Sequence, residues 1–162
     1  ISKAMKYLLI IAILLSNLIG QVSLDIKVLP KGATVILDGK EIGTAPVKGY
    51  SVRPGMHEVR LEADGYAPAI HEISVQDAKR LVADFILNPM YKIKFRAKEK
   101  GLTFELNGEH TWRDEKIKLN LEAGPHRLRV YYLDELFDDQ VIIADRNAEF
   151  IYTRYQAESG SN

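Results

Sequence analysis

The sequence predicts an all-β protein: two small tandem β-sandwiches behind an N-terminal hydrophobic segment. Three observations carry this. Short runs alternate apolar and polar residues with period two, the mark of strands buried on one face. Asx-Gly dipeptides stand between such runs as hairpin turns. And the turn residues recur at a fixed offset of 69, as internal repeats do. After residue 22, only Val75–Val82, "VQDAKRLV", has room for a helical turn.

The N-terminus reads as an export segment. Met5 begins "MKYLLIIAILLSNLIGQVS", with Lys6 as a basic start and an apolar run over residues 7–19. That length matches the apolar core of a signal peptide and falls short of the roughly 20 residues of a spanning helix. No A-x-A cleavage site follows, so a cleaved signal and an uncleaved anchor both stand. Residues 1–23 are assigned to this segment, and both readings place the rest of the chain outside the cytoplasm. Residues 1–4 precede Met5.

Residues 24–88 form the first predicted unit. "HEVRLEA" sets His57, Val59, Leu61 and Ala63 on one face and Glu58, Arg60 and Glu62 on the other, and Asp38-Gly39 marks a hairpin. The second unit, residues 89–155, reads the same way. "KIKLNL" alternates Ile117, Leu119 and Leu121 with Lys116, Lys118 and Asn120, and "YKIKF" and "HRLRVYY" follow suit. The repeat takes Asp38 to Asn107, Gly39 to Gly108, Gly55 to Gly124, His57 to His126 and Arg60 to Arg129. Asn88-Pro89 separates the units almost without a linker. A single larger sandwich of the combined strands is the alternative arrangement. Residues 156–162, "QAESGSN", read as a disordered tail.

Composition limits function. The 162 residues carry 22 basic and 22 acidic side chains, a formal net charge of zero, and neither unit segregates one sign. That argues against nucleic acid, which needs a basic face. The absence of Cys excludes a disulfide scaffold, a thiol nucleophile and a Cys-based zinc site.

The residues of the first unit resemble the PEGA domain family. The resemblance rests on Pro30-Lys31-Gly32-Ala33, with Lys where the name-giving tetrapeptide has Glu. It continues through Asp38-Gly39, Gly43-Thr44-Ala45-Pro46, Pro54-Gly55 with His57, and Gly65-Tyr66. The second unit keeps Asn107-Gly108 and Gly124-x-His126 but lacks the tetrapeptide, the Gly-Thr-x-Pro and the Gly-Tyr, so it resembles a divergent copy. The resemblance implies a small extracytoplasmic β-sandwich module of surface, periplasmic or signalling proteins, without family-wide catalytic residues.

Candidate sites are few. Gly39-Lys40-Glu41-Ile42-Gly43-Thr44 has the glycines of a phosphate loop but neither its spacing nor a helix after it, so turn-forming explains it better, Asp38 and Glu41 included. His57 and His126 stand at equivalent strand mouths, positioned to pack a ring and hydrogen-bond a turn carbonyl; equivalent positions of tandem domains lie too far apart for one zinc ion. His71 and His110 have no ligand-like spacing. Ser51 and Ser74 lie in no nucleophile elbow. Asp134, Glu135, Asp138 and Asp139 form the densest acidic group, weighed as a calcium loop or a charged turn; no Gly supplies the bend and Leu136-Phe137 interrupts it. Tyr131-Tyr132, Phe150, Tyr152 and Tyr155 read as core and cross-strand pairs.

Trp112, the single tryptophan, stands in the polar run "NGEHTWRDEK", where the first unit has its Gly-Thr-Ala-Pro turn. It reads either as an exposed anchor or as a ring folded over the sandwich end. The sequence thus predicts a non-enzymatic, exported protein of the cell envelope, periplasmic or envelope-associated, without cofactor or metal. It would bind a protein partner within a larger assembly through an edge strand or loop, with Trp112, Arg113 and Asp114 as the expected contact. A carbohydrate-binding module for peptidoglycan or surface glycan is the alternative. Membrane contact is expected only through an uncleaved N-terminal segment.

Overall fold

The computed structural model describes residues 20–113 and 116–153. The predicted export segment up to residue 19, Asp114, Tyr155 and the predicted tail lie outside the described residues. Among the described residues all regular structure is β. The chain divides between Leu87 and Asn88 into two units, each with its own apolar core. The alternative of one combined sandwich is thereby corrected, because each pair of sheets closes on its own side chains.

The first unit contains β1 (Val22–Leu29), β2 (Thr34–Leu37), β3 (Lys40–Thr44), β4 (Val47–Val52), β5 (Gly55–Glu62), β6 (Ala69–Val75) and β7 (Arg80–Ile86). One sheet has the order β4-β1-β7, the other β3-β2-β5-β6. All pairings are antiparallel except β1 with β7, which run parallel from Ser23↔Arg80 to Leu29↔Ile86. The alternation does the packing. Val22, Leu24, Ile26 and Val28 from one sheet meet Val35, Leu37, Val59 and Leu61 from the other, all buried. Each such side chain contributes about 1.5–3 kcal/mol relative to exposure. β1 starts two residues ahead of the boundary expected at residue 24, since Val22 already points into this core. The suggested helical turn at Val75–Val82 is also corrected. Val75 closes β6, residues 77–79 form a bend, and β7 begins at Arg80.

The second unit contains β8 (Met90–Ala97), β9 (Leu102–Leu106), β10 (His110–Trp112), β11 (Lys116–Glu122), β12 (Gly124–Tyr132), β13 (Glu135–Ala144) and β14 (Ala148–Tyr152). Its sheets have the orders β11-β8-β14 and β10-β9-β12-β13, with β8 and β14 parallel. Strand for strand, this is the pairing scheme of the first unit.

The hairpin turns follow the backbone chemistry expected of Asx-Gly. Asp38 and Gly39 have φ of 50° and 80°, Asn107 and Gly108 of 55° and 74°, both residues left-handed as a type I′ turn requires. A Cβ on Gly39 would meet nothing within 4 Å, so conformation and not crowding selects glycine there.

Asp25 is the one buried charged residue among those described. It sits where the β1–β4 register shifts between Leu24 and Ile26. Its Oδ1 accepts the Gly49 N–H at 2.8 Å, so the side chain replaces a ladder bond lost at the bulge. Its Oδ2 accepts the Arg80 guanidinium, through Nε at 3.1 Å and through the terminal nitrogen. The Arg80 hydrogen bond, then the Gly49 N–H, hold the carboxyl below the usual carboxylate range.

Two separate cores predict separate responses to core truncation. Leu61→Ala is expected to cost the first unit about 2–5 kcal/mol, and Leu128→Ala the second unit a similar amount. Trp112, the only Trp, belongs to the second core. Its fluorescence in chemical unfolding therefore shifts midpoint with Leu128→Ala and stays in place with Leu61→Ala. Equal shifts in both variants would show a single cooperative core.

Candidate functional site

The stretch that most resembles a reactive loop is structural. Lys40–Thr44 is a β-strand paired with β2, so no helix N-terminus faces its glycines. Asp38 does specific work instead. Its backbone N–H donates to the Glu58 carbonyl at 2.9 Å, and its Oδ1 accepts the Glu58 N–H at 2.9 Å. Its Oδ2 meets His57 Nδ1 at 2.6 Å, while His57 Nε2 lies 2.8 Å from the Arg53 carbonyl. Both ring nitrogens therefore face acceptors, and only the imidazolium can donate to both. The carboxylate bond first, then the carbonyl, raises the His57 pKa; the same His57 bond lowers that of Asp38.

The second unit builds the same tie without charge. Asn107 Oδ1 accepts the Arg127 N–H at 3.0 Å, which turns its amide NH2 toward His126 Nδ1 at 2.9 Å. Nδ1 must accept, so Nε2 carries the proton and donates to the Glu122 carbonyl at 2.7 Å. Each histidine thus locks a turn to the mouth of a strand. Sequence reasoning expected each histidine to bond a turn carbonyl, as it does at Arg53 and Glu122, but did not join either to the Asx side chain of its hairpin. The usable signal was the spacing, 19 residues in both pairs.

The expected contact at Trp112 is corrected. Trp112 lies in β10, is only 7% exposed, and packs in the second core with ring centroids 5.2 Å from Phe95 and 5.3 Å from Phe104. Its neighbours His110 and Thr111 are exposed, and the indole turns in to pack with the apolar rings of the core. A buried ring can neither anchor a partner nor stack on a sugar, so the glycan alternative loses its platform. Arg113 stays exposed and donates to Thr103 Oγ1 at 2.8 Å. Asp114 lies outside the described residues.

The acidic group is divided among separate partners. Asp139 takes a two-pronged bond from Arg127 at 2.8 and 2.6 Å, and Arg127 first, then Arg129, holds it below the usual range. Asp138 accepts Gln140 at 2.9 Å. Leu133 and Asp134, φ 51° and 65°, form the turn between β12 and β13.

What remains exposed and unusual is apolar. In the second unit Val141 and Ile143 point outward from β13, the edge strand of its sheet. The positions 69 residues earlier, in β6, are Glu72 and Ser74. In the first unit Leu29 and Ile86 are exposed side by side on the β1–β7 pair. They border a groove of about 430 Å³ whose rim holds Lys27, Lys31 and Lys48.

Residues 21–89 match the model of the PEGA domain. No curated protein matches the chain. Among solved structures it is similar to the Bacillus anthracis TIE protein, with 13% identity and a TM-score of 0.36 over 82% of this chain and 33% of that one. It is also similar to a Streptococcal ancillary pilin, with 10% identity and a TM-score of 0.36 over 82% of this chain and 62% of that one. The chain spans less than two thirds of the length of either.

Two predictions test the local chemistry. The His57 contribution to stability is complete below the unfolded histidine value near 6.5 and is lost as pH rises through the raised folded value. The Asp38 contribution is complete above about 3.8 and is lost as pH falls through the lowered folded value. Their sum is therefore greatest between these limits. NMR titration of the imidazole should find His57 titrating above the usual value, and Asp38→Asn, which keeps the left-handed turn, should bring it back down. An unchanged titration in that variant would refute the ion pair. Separately, Trp112→Ala is expected to cost the second unit about 3–5 kcal/mol, and Arg113→Ala within about 0.5 kcal/mol, by denaturant unfolding followed by circular dichroism.

Proposed function

We propose, with the PEGA domain of residues 21–89 as premise, that this chain is a non-catalytic protein of the cell envelope. Its role is to bind or scaffold a larger extracytoplasmic protein assembly. The N-terminal apolar segment read from the sequence supports an exported location. The second unit supports it as a divergent PEGA-like copy, since its strands pair in the same scheme.

The observation that carries the binding role is the outward face of β13. An edge strand offers unpaired N–H and C=O groups, and folded proteins ordinarily blunt such edges with charge. β6 follows that rule in part, with Glu72 and Ser74 outward beside one exposed apolar residue, Ile70. β13 departs from it with Val141 and Ile143, both more than half exposed. Nothing in the core of the unit uses these two side chains. Apolar side chains on an open edge suit strand addition by a partner, with main-chain bonds for affinity and side chains for specificity. This replaces the Trp112 loop as the contact.

The test is a pull-down from detergent-solubilised envelope, comparing tagged wild type with the Val141→Lys/Ile143→Lys double variant. Wild type is expected to enrich one or more envelope proteins that the variant loses by at least about tenfold. If wild type enriches none, the scaffold reading falls. If both forms enrich the same proteins equally, contact is made elsewhere than β13.

A further inference from the structure

The groove of the first unit and a hairpin tip of the second are complementary surfaces. The groove is bordered by Leu29, Pro46 and Ile86, the last 74% exposed. Lys27, Lys31 and Lys48 stand around it, with Asp84, the cross-strand partner of Lys27, as its one acid. None of the three lysines makes an ion pair among the described residues. The surface is apolar at its floor and positive at its rim.

The tip is the turn Leu133-Asp134-Glu135-Leu136 between β12 and β13. Leu133 is 75% exposed and Leu136 more than half exposed, with two carboxylates between them. Among the described residues Asp134 pairs with Arg113, at 3.5 Å, with its carboxylate 92% exposed, a contact that solvent screens. Leu133 also holds a left-handed backbone that a bulky residue rarely adopts. At the offset of 69 the first unit has Asp64 in place of Leu133 and Gly65, at φ 79°, in place of Asp134. The second unit thus presents a leucine in a left-handed turn where the first unit has a polar residue, and its own fold does not bury that leucine.

We propose that the protein associates with itself head to tail, the Leu133–Leu136 tip of one copy seating in the Lys27/Lys31/Lys48 groove of another. Leucine side chains meet Leu29, Pro46 and Ile86, and the tip carboxylates meet the lysine rim. Zero net charge on the chain leaves no overall repulsion between copies. Tip and groove are different patches, so the contact is heterologous and extends copy by copy into rings or filaments. It uses neither Val141 nor Ile143 and does not depend on the envelope partner proposed above.

The chain contains no Cys, which makes thiol trapping specific. Full-length Asp84→Cys and Leu136→Cys variants, of different tag size, are mixed in detergent and mildly oxidised. Each carries one thiol, so any mixed disulfide joins two copies. The expected result is a mixed dimer in excess of both homodimers. Adding Asp134→Lys/Glu135→Lys to the Leu136→Cys chain should reduce its yield at least about tenfold. Adding Lys31→Glu/Lys48→Glu to the Asp84→Cys chain as well should restore it. Leu133→Gly, which suits the left-handed turn, should lower the yield while leaving circular dichroism unchanged. A mixed dimer no more abundant than the homodimers overturns the proposal, as does a yield that charge reversal leaves unchanged or that the double reversal does not recover.

Discussion

The register of β5 against β2, and of β12 against β9, is the constraint on which each unit depends. β5 is paired on both edges, so an error in its alignment passes to β2, β3 and β6 together. A slip of one residue would carry Val59 and Leu61 to solvent and bring Glu58 and Arg60 inside. Asp38 prevents this at the point of greatest leverage. Its main chain and one carboxylate oxygen both engage Glu58, which extends the ladder one step past Leu37↔Val59. The other oxygen holds His57, whose far nitrogen holds Arg53, so the turn, the strand and the segment before the strand move as one piece. Asn107 and His126 repeat the device with neutral partners. The two versions share a geometry.

With the register set, the core can be refilled. The offset of 69 runs through the buried positions: Leu24 and Ile93, Ile26 and Phe95, Val35 and Phe104, Leu37 and Leu106, Val59 and Leu128. The fully buried residues of the first core are aliphatic, with Tyr50, Tyr66 and Phe85 packed at its border. The second sets Trp112 where the first has Gly43, and Tyr152 where it has Ala83, and these join Phe95 and Phe104 in one aromatic group. At other places the exchange runs the opposite way, Leu61 to Val130 and Val75 to Ala144. Cores tolerate such exchange when total volume and pattern are kept. Asp25 marks a further difference: its bulge has no counterpart in the regular β8–β11 ladder, where Lys94 stands at the matching place.

Period-two strands were legible in the sequence because their physical cause is local: a strand with one face in the core must alternate. Asp38-Gly39 and Asn107-Gly108 were legible because few dipeptides accept two left-handed residues. Trp112 misled for an equally physical reason. β10 has three residues, too few to show a period, and polar neighbours surround the indole, so local composition pointed outward while Phe95, Phe104 and Tyr152 decided the matter from distant positions. The bulge at Asp25 was hidden similarly, since a single acid in an apolar strand declares nothing until Gly49 and Arg80 are brought beside it.

The pairing scheme common to both units separates what folding needs from what it merely permits. Edge positions hold Glu72 and Ser74 in one unit and Val141 and Ile143 in the other, under the same strand order. The fold therefore does not require apolar residues there. The same comparison sets Leu29, the last residue of β1, against Lys98, just past the end of β8, and Asp64-Gly65 against Leu133-Asp134 at the turn. In each case the unit with the apolar residue exposes it, although a polar one is compatible with the frame. An exposed apolar group gains nothing from its own fold and raises the risk of unwanted association. Its free energy is recovered only in contact with another surface. The proposed contacts therefore rest on positions where the two units disagree in this direction, and not on the shared turns and histidines.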